Sequence, residues 1–433
     1  MAFICDKPRL RLKTQKNNDS QQLPQGFVSA KQSFLENLAQ RQKLTECVDE
    51  QIVRWAIRLR RFAFWPQAID DVFAQGYENF PYRSEEAPII GITHKKLHDV
   101  FTALTFMAGR PFERFHDVTL VAQAGLFYGI YTYRDLVPDK LKRGPLVPLF
   151  AALSRAAGKI TANFASSLHA NPVFRDGVDL PPKEIYNDPV FAGPSIMKMD
   201  YSQFVRHAGK VTMASVATAQ RDIVNLNRSF VIFPEGKYCH DGSVAPMQDL
   251  AGFIALRKSK PLVPVSLTYD ELCPDRLGRI TAFVKIGKSI EPPTDKKQLP
   301  DYFQTLHQLL QENSVITASH LIAAALQSIR LSGRQSFNMT ELQHRFHENC
   351  LIAEESGFSF DSRLNQNDFQ EQQLIRFLKR KGSLWLQRSK DDYRFNEKAI
   401  SKFAYTERTV DDIAWNANNI IHLVKTAKLF ESH

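Results

Sequence analysis

Four short apolar runs, each closed by turn-forming residues, constrain this chain more than any other feature of its sequence. They are APIIGIT (Ala87–Thr93), SFVIFPEG (Ser229–Gly236), PLVPVSLTYD (Pro261–Asp270) and TAFVKIG (Thr281–Gly287). Runs this short and this apolar read as strands. Between them, Val211–Asn227 and Met247–Ser259 carry apolar residues at helical spacing. Strands alternating with helices define an α/β domain. The expected fold is therefore α/β, a mixed central sheet flanked by helices, with the sheet domain spanning 87–293.

The flanking regions read differently. Residues 1–30 are polar and rich in Gln, Asn and Lys, which predicts a poorly ordered N-terminus. A helical segment is predicted over 31–86, where VDEQIVRWAIRLRRFAFW (Val48–Trp65) sets an apolar face beside a basic one. An insertion is predicted at about 129–194, from the amphipathic LVPLFAALSRAAGKITANFASSLHA (Leu146–Ala170) and the Pro- and Asp-rich loop after it. It would cover a substrate cleft or rest on a membrane. EPPTDKKQLP (Glu291–Pro300) has linker composition, and 301–433 reads as a mainly helical C-terminal domain with a small hairpin.

Composition narrows the class. At 433 residues with 43% hydrophobic content, the chain can bury a sizeable core. Its formal charge of +10 favours acidic partners: anionic membrane, nucleic acid, acidic carrier proteins or phosphorylated substrates. The five cysteines are scattered without zinc-type spacing, which predicts reduced thiols in a cytoplasmic protein. MAFICDKPRLRLK has charges where a signal peptide needs its apolar core. VTLVAQAGLFYGIYTY (Val118–Tyr133) has 16 residues, short of the ~18–20 that span a bilayer. It is a buried element or a shallow interfacial segment, and the chain is expected to be at most peripherally membrane-associated.

The stretch ITHKKLHD (Ile92–Asp99) follows the first predicted strand. On a helix His94 and His98 would share a face, as paired metal ligands do, but Lys95 and Lys96 would repel a dication. No metal is expected there. His94 and Asp99 are the alternative pair. Five helical steps would place them roughly 140° apart on a regular helix. They can touch only if His94 lies in the loop and Asp99 in the first turn. A carboxylate against imidazole then fixes its tautomer and suits it to act as a general base. Lys95 and Lys96 would suit the mouth of a phosphate-binding cleft. A second polar group is delivered by FVIFPEGKYCHDG (Phe230–Gly242), where a strand carries Glu235 and Gly236 into a loop. Open α/β sheets bind ligands at such strand ends.

These motifs, in this order, resemble the glycerolipid acyltransferase superfamily. The family pattern is His-x4-Asp, an Arg-containing block, Phe-Pro-Glu-Gly-Thr-Arg-Ser, and a Val-Pro-Val strand. The chain offers HKKLHD, SQFVRHAG with Arg206, FPEGKYCHDG, and PLVPVSLTYDEL with Pro264. Lys237, Tyr238 and Cys239 stand where the family has Thr-Arg-Ser. Tyr269 and the late segment AWNANNIIHL (Ala414–Leu423) are similar to the glycerol-3-phosphate and dihydroxyacetone-phosphate acyltransferase branch. The resemblance implies His94 and Asp99 as the catalytic pair, and Arg206, Glu235, Gly236 and Lys237 around the acceptor and its phosphate. It implies Pro264 at the acyl-chain pocket.

It further implies a glycerophosphate acceptor, an acyl-CoA or acyl carrier protein donor used as co-substrate, no cofactor, and an anionic membrane surface. Lysophosphatidate is the alternative acceptor. A reading from another class is a basic nucleic-acid-binding protein. Leu374–Phe395 has a helix–hairpin pattern of winged-helix type, with a basic patch at Lys379–Lys381. With the acyltransferase reading, no nucleic-acid partner is expected.

Overall fold

The computed structural model describes residues 27–29, 69–82, 84–96, 99–108, 116–124, 169–174, 180, 183–186, 199–236, 241–334, 336–389, 392–404 and 408–420. The basic amphipathic stretch Val48–Trp65 and most of the 129–194 insertion lie outside them.

One sheet organises the molecule. Its strands are β1 (Val28–Ser29), β2 (Ile69–Gln75), β3 (Ile89–Ile92), β4 (Val118–Gln123), β5 (Ala170–Val173), β6 (Ser229–Ile232), β7 (Leu262–Asp270) and β8 (Ile280–Ile286). They lie in the order β1-β2-β8-β7-β3-β6-β4-β5. From β7 to β5 every neighbour is parallel. β8 runs antiparallel to β7, and β2 lies parallel to β8. The sheet is mixed and the fold is α/β. The four apolar runs of the sequence are β3, β6, β7 and β8.

The sheet also extends beyond its expected limits. The segment 31–86, read as helical, ends in strand β2, whose IDDVFAQ alternates buried and partly exposed residues as a half-buried strand does. Strand β5 falls inside the expected 129–194 insertion. The apolar run Val118–Tyr133 begins as β4, and its residues from 125 lie outside the described set.

Both faces are covered by helices. Ile90 and Ile92 of β3 face α1 (Asp99–Ala108), packing in one cluster with Ala103, Phe106 and Met107. Ile89 faces the other way, toward α2 (Tyr201–Asn225), α3 (Asp249–Lys258) and α4 (Leu299–Glu312). This alternation explains why β3 is apolar at every position. Tyr302, Leu306 and Leu310 of α4 share the cluster of Ile89, so the sheet's cover runs past the boundary expected at 301. The linker composition of Glu291–Pro300 marks a surface turn within the unit. Truncating Leu306 to Ala would cost about 2–5 kcal/mol by opening a cavity there.

The longer elements of the C-terminal part are α5 (Ala318–Leu331), β9 (Ser336–Asn338), α6 (Met339–Glu355), α7 (Asn367–Phe377), the hairpin β10 (Leu386–Ser389) and β11 (Asp392–Phe395), the hairpin β12 (Ser401–Ala404) and β13 (Arg408–Asp411), and α8 (Asp412–Asn418). Strands β10, β11 and β9 form a three-stranded sheet. Leu321, Phe346, Phe377 and Trp385 share a core with Leu272 and Cys273, which follow β7. The expected helix–hairpin pattern is present. Its basic patch is partly engaged: Lys381 Nζ donates to Asp412 Oδ2 at 2.8 Å, and Arg380 donates to the Arg276 carbonyl at 2.6 Å. The exposed face of α7 carries Asp368 and Glu371.

Among the described residues, no helix is long and apolar enough to cross a membrane. Among them, too, no group of three or more His, Cys, Asp or Glu could hold a metal ion. Cys273 and Cys350 are buried free thiols.

Candidate active site

Three adjacent parallel strands, β7, β3 and β6, deliver their C-terminal ends to one place. Beyond Ile92 the chain leaves the sheet at Thr93 and re-forms as α1 at Asp99. His94 is thus in the loop and Asp99 in the first helical turn, the junction that the spacing requires. His94 Nδ1 lies 2.9 Å from Asp99 Oδ2. The histidine side chain is 14% exposed and the aspartate fully buried.

The loop is wrapped around that carboxylate. The backbone N–H groups of Lys95 and Lys96 donate to Asp99 Oδ2 at 2.5 and 2.7 Å. Tyr269, near the end of β7, donates its hydroxyl to Asp99 Oδ1 at 2.6 Å. Several donors on one buried carboxylate hold it in a single orientation. With Asp99 accepting, the proton of the pair resides on Nδ1, and Nε2 is left as the basic nitrogen. Phe233, just past β6, stacks on the imidazole with ring centroids 4.3 Å apart.

Glu235 anchors the same loop from the other strand. Its Oε1 accepts the His94 backbone N–H at 2.6 Å, and its Oε2 accepts the Ala245 N–H at 2.7 Å. Both oxygens hold main chain, so Glu235 fixes the loop that carries His94. Burial pushes its carboxyl from 4.5 up to about 7, against the opposing effects of Lys95 and the two backbone donors. Gly236 adopts φ +70, and a Cβ there would lie 2.8 Å from Gln248. Only glycine meets both demands without strain.

The two lysines are not at an open phosphate mouth. Lys95 is buried, and its Nζ donates to the Gly242 carbonyl at 2.9 Å. Lys96 pairs with buried Glu271, and its ammonium lies over the rings of Tyr269 and Trp415, 5.6 and 5.0 Å from their centroids. Both charges tie the loop to neighbouring elements. Gly242 in turn meets α8: at φ +90, a Cβ on it would fall 1.9 Å from the Trp415 carbonyl oxygen.

The other expected residues are distributed differently. Arg206 is exposed on α2, where the charge recorded beside it is Asp200. Pro264 is buried in β7, level with Gly91. Its carbonyl accepts the Gly287 N–H at 2.8 Å. Lys237 and His98 lie outside the described residues. Tyr269 and Trp415 entered the sequence reading as marks of resemblance, and the structure places both at the site. Thr102, one helical turn beyond Asp99, was missed, although its spacing put it on the same face.

No family model and no curated protein matches the chain. Among solved structures, it is similar to the crystal structure of the 1-acyl-sn-glycerophosphate (LPA) acyltransferase, PlsC, from Thermotoga maritima. The identity is 16% and the TM-score 0.35, covering 65% of this chain and 93% of that one. A likeness at that level carries no weight for activity.

Proposed function

We propose that the chain transfers a fatty acyl group from a thioester to a hydroxyl of glycerol 3-phosphate or a related glycerophosphate. The observation that carries this reading is the His94–Asp99 pair, held at the C-terminal ends of parallel strands with its imidazole partly open to solvent. Nε2 takes the proton of the acceptor hydroxyl as its oxygen attacks the thioester carbonyl. The C–S bond then breaks, and the leaving thiolate recovers that proton from the imidazolium. An ester and a free thiol result. Asp99 stabilises the imidazolium and keeps its orientation, without itself taking the proton.

Arg206 and Lys237 are the cations assigned to the acceptor phosphate. Gly236 allows close backbone approach, and Glu235 acts through the loop it holds. Pro264 and its strand are assigned to the acyl-chain side. The transfer uses no metal or prosthetic group, since the acyl-CoA or acyl carrier protein is consumed as donor. A net charge of +10 suits acidic carriers and an anionic membrane surface, where the protein would act peripherally in the cytoplasm.

The test is a panel with purified protein and labelled acyl-CoA or acyl carrier protein. Glycerol 3-phosphate, dihydroxyacetone phosphate and lysophosphatidate are offered as acceptors to wild type, His94→Ala and Asp99→Ala. Product with the wild type and its loss in both variants is expected. Full activity in either variant overturns the assignment.

A further inference from the structure

Tyr269 is 170 residues from Asp99 in sequence, yet its hydroxyl reaches the carboxylate oxygen that the histidine does not use. Oδ2 of Asp99 receives the imidazole and two backbone N–H groups. Oδ1 receives Tyr269 at 2.6 Å, and the same phenol oxygen lies 3.0 Å from Thr102 Oγ1. A phenol has one proton, and an ionised carboxylate can only accept. The direction of the chain is therefore fixed: Thr102 donates to Tyr269, Tyr269 to Asp99, and His94 Nδ1–H to the opposite oxygen. Burial, then the charge of Asp99, hold the Tyr269 phenol well above its usual range, so its proton stays available for donation. Tyr269 and Thr102 are both buried, which leaves neither in a position to meet substrate.

We propose that Tyr269, oriented by Thr102, is a positioning residue that sets how strongly Asp99 grips His94. This rests on the reading of His94 as the general base. A donor on Oδ1 draws charge away from Oδ2. Its removal concentrates charge on Oδ2, tightens the Nδ1–H bond, and leaves the carboxylate held at Oδ2 alone. The effect falls on the proton-transfer step and not on substrate binding.

The experiment uses the full chain and the variants Tyr269→Phe, Thr102→Val, Asp99→Asn and Tyr269→Phe/Asp99→Asn. Two quantities are read: steady-state kcat and KM for both substrates, and the low-field proton resonance of His94 Nδ1–H, assigned by its loss in His94→Gln. In Tyr269→Phe, kcat is expected to fall about tenfold with KM within about twofold, and the resonance to move further downfield. Thr102→Val should move both in the same direction by less, and it supplies the test if Tyr269→Phe does not fold. In the Asp99→Asn background, Tyr269→Phe should cost nothing further.

An unmoved resonance with unchanged kcat in folded variants overturns the proposal. So does a large rise in acceptor KM at constant kcat, which would make Tyr269 a binding residue. Failure of the two readings is separable. A resonance that shifts in Tyr269→Phe while the wild type makes no acyl product sinks the acyltransferase assignment and upholds the role of Tyr269. A productive wild type with an unmoved resonance does the reverse.

Discussion

Consecutive residues of β7, Tyr269 and Asp270, point to opposite faces of the sheet, and each belongs to a buried carboxylate network. On one face Tyr269 serves Asp99, which holds the imidazole of His94. On the other, Asp270 accepts the backbone N–H of Ser319 at 2.9 Å and also its hydroxyl, at the N-terminal turn of α5. Burial raises the Asp270 carboxyl, opposed by the bonds from Ser319. A carboxylate there completes orphan donors at a helix N-terminus and complements its dipole. Both carboxylates are buried, Asp99 with donors on both oxygens and Asp270 with the two from Ser319 on Oδ1. The difference lies in the partner. Asp99 ends in a titratable ring that is 14% exposed, whereas Asp270 ends in a serine that is fully buried. A polar network does chemistry only where one member reaches out of the core.

The sharpest way to break this contrast is to remove each carboxylate in turn. Asp99→Ala should lower acyl transfer about 10²–10⁴-fold per folded molecule, read by turnover normalised to the folded fraction. Asp270→Ala should leave turnover of the folded fraction within about threefold, and a matching loss there would erase the distinction. Denaturant unfolding gives the second measure. Asp270→Ala should lose about 1–3 kcal/mol, the usual cost of leaving buried donors without an acceptor.

Glu235 tests the contrast from the anchoring side. Its folded-state carboxyl at about 7 exceeds the ordinary 4.5. Between these values the folded chain keeps a proton that the unfolded chain has lost. The stabilisation is complete below pH 4.5 and is lost as pH rises to about 7. Glu235→Gln should flatten that slope, worth up to about 3 kcal/mol between the two ends, as followed by unfolding at stepped pH. An equally steep slope in the variant would assign the dependence to another group. The smallest effect is expected from Trp415→Phe, which keeps a ring near Lys96 and the backbone carbonyl against Gly242. Activity within about threefold of wild type is predicted, because a phenyl face still attracts an ammonium. A loss as large as that of Asp99→Ala would place Trp415 among the reacting groups.

What could be read from the sequence follows from how local each signal is. The strands β3, β6, β7 and β8 were legible because each is a short, apolar-rich run bounded by Pro, Gly or Asp. Strand β2 was not, since its seven residues follow a longer helical pattern. His-x4-Asp implied a loop-to-helix junction by geometry alone, and the chain adopts it. Lys95 and Lys96 were misread, because a charge announces itself in a sequence while its partner does not. Their partners Gly242, Glu271 and Trp415 are distant along the chain, and contacts at that separation leave no local trace. Arg206 is a different case: its interval to Glu235 fits the helix and strand that the structure has, and the arginine is exposed on α2.

On the ribosome, His94, Asp99, Glu235 and Tyr269 all emerge well before Trp415. At about 5–20 residues per second, the Gly242 loop waits roughly 10–35 s for the carbonyl that packs against it. A nascent chain stopped short of residue 415 holds His94 and Asp99 and lacks the carbonyl that leaves no room for a side chain on Gly242. The close approach of Gly242 to the Trp415 carbonyl is thereby a contact that only the last part of the chain can supply.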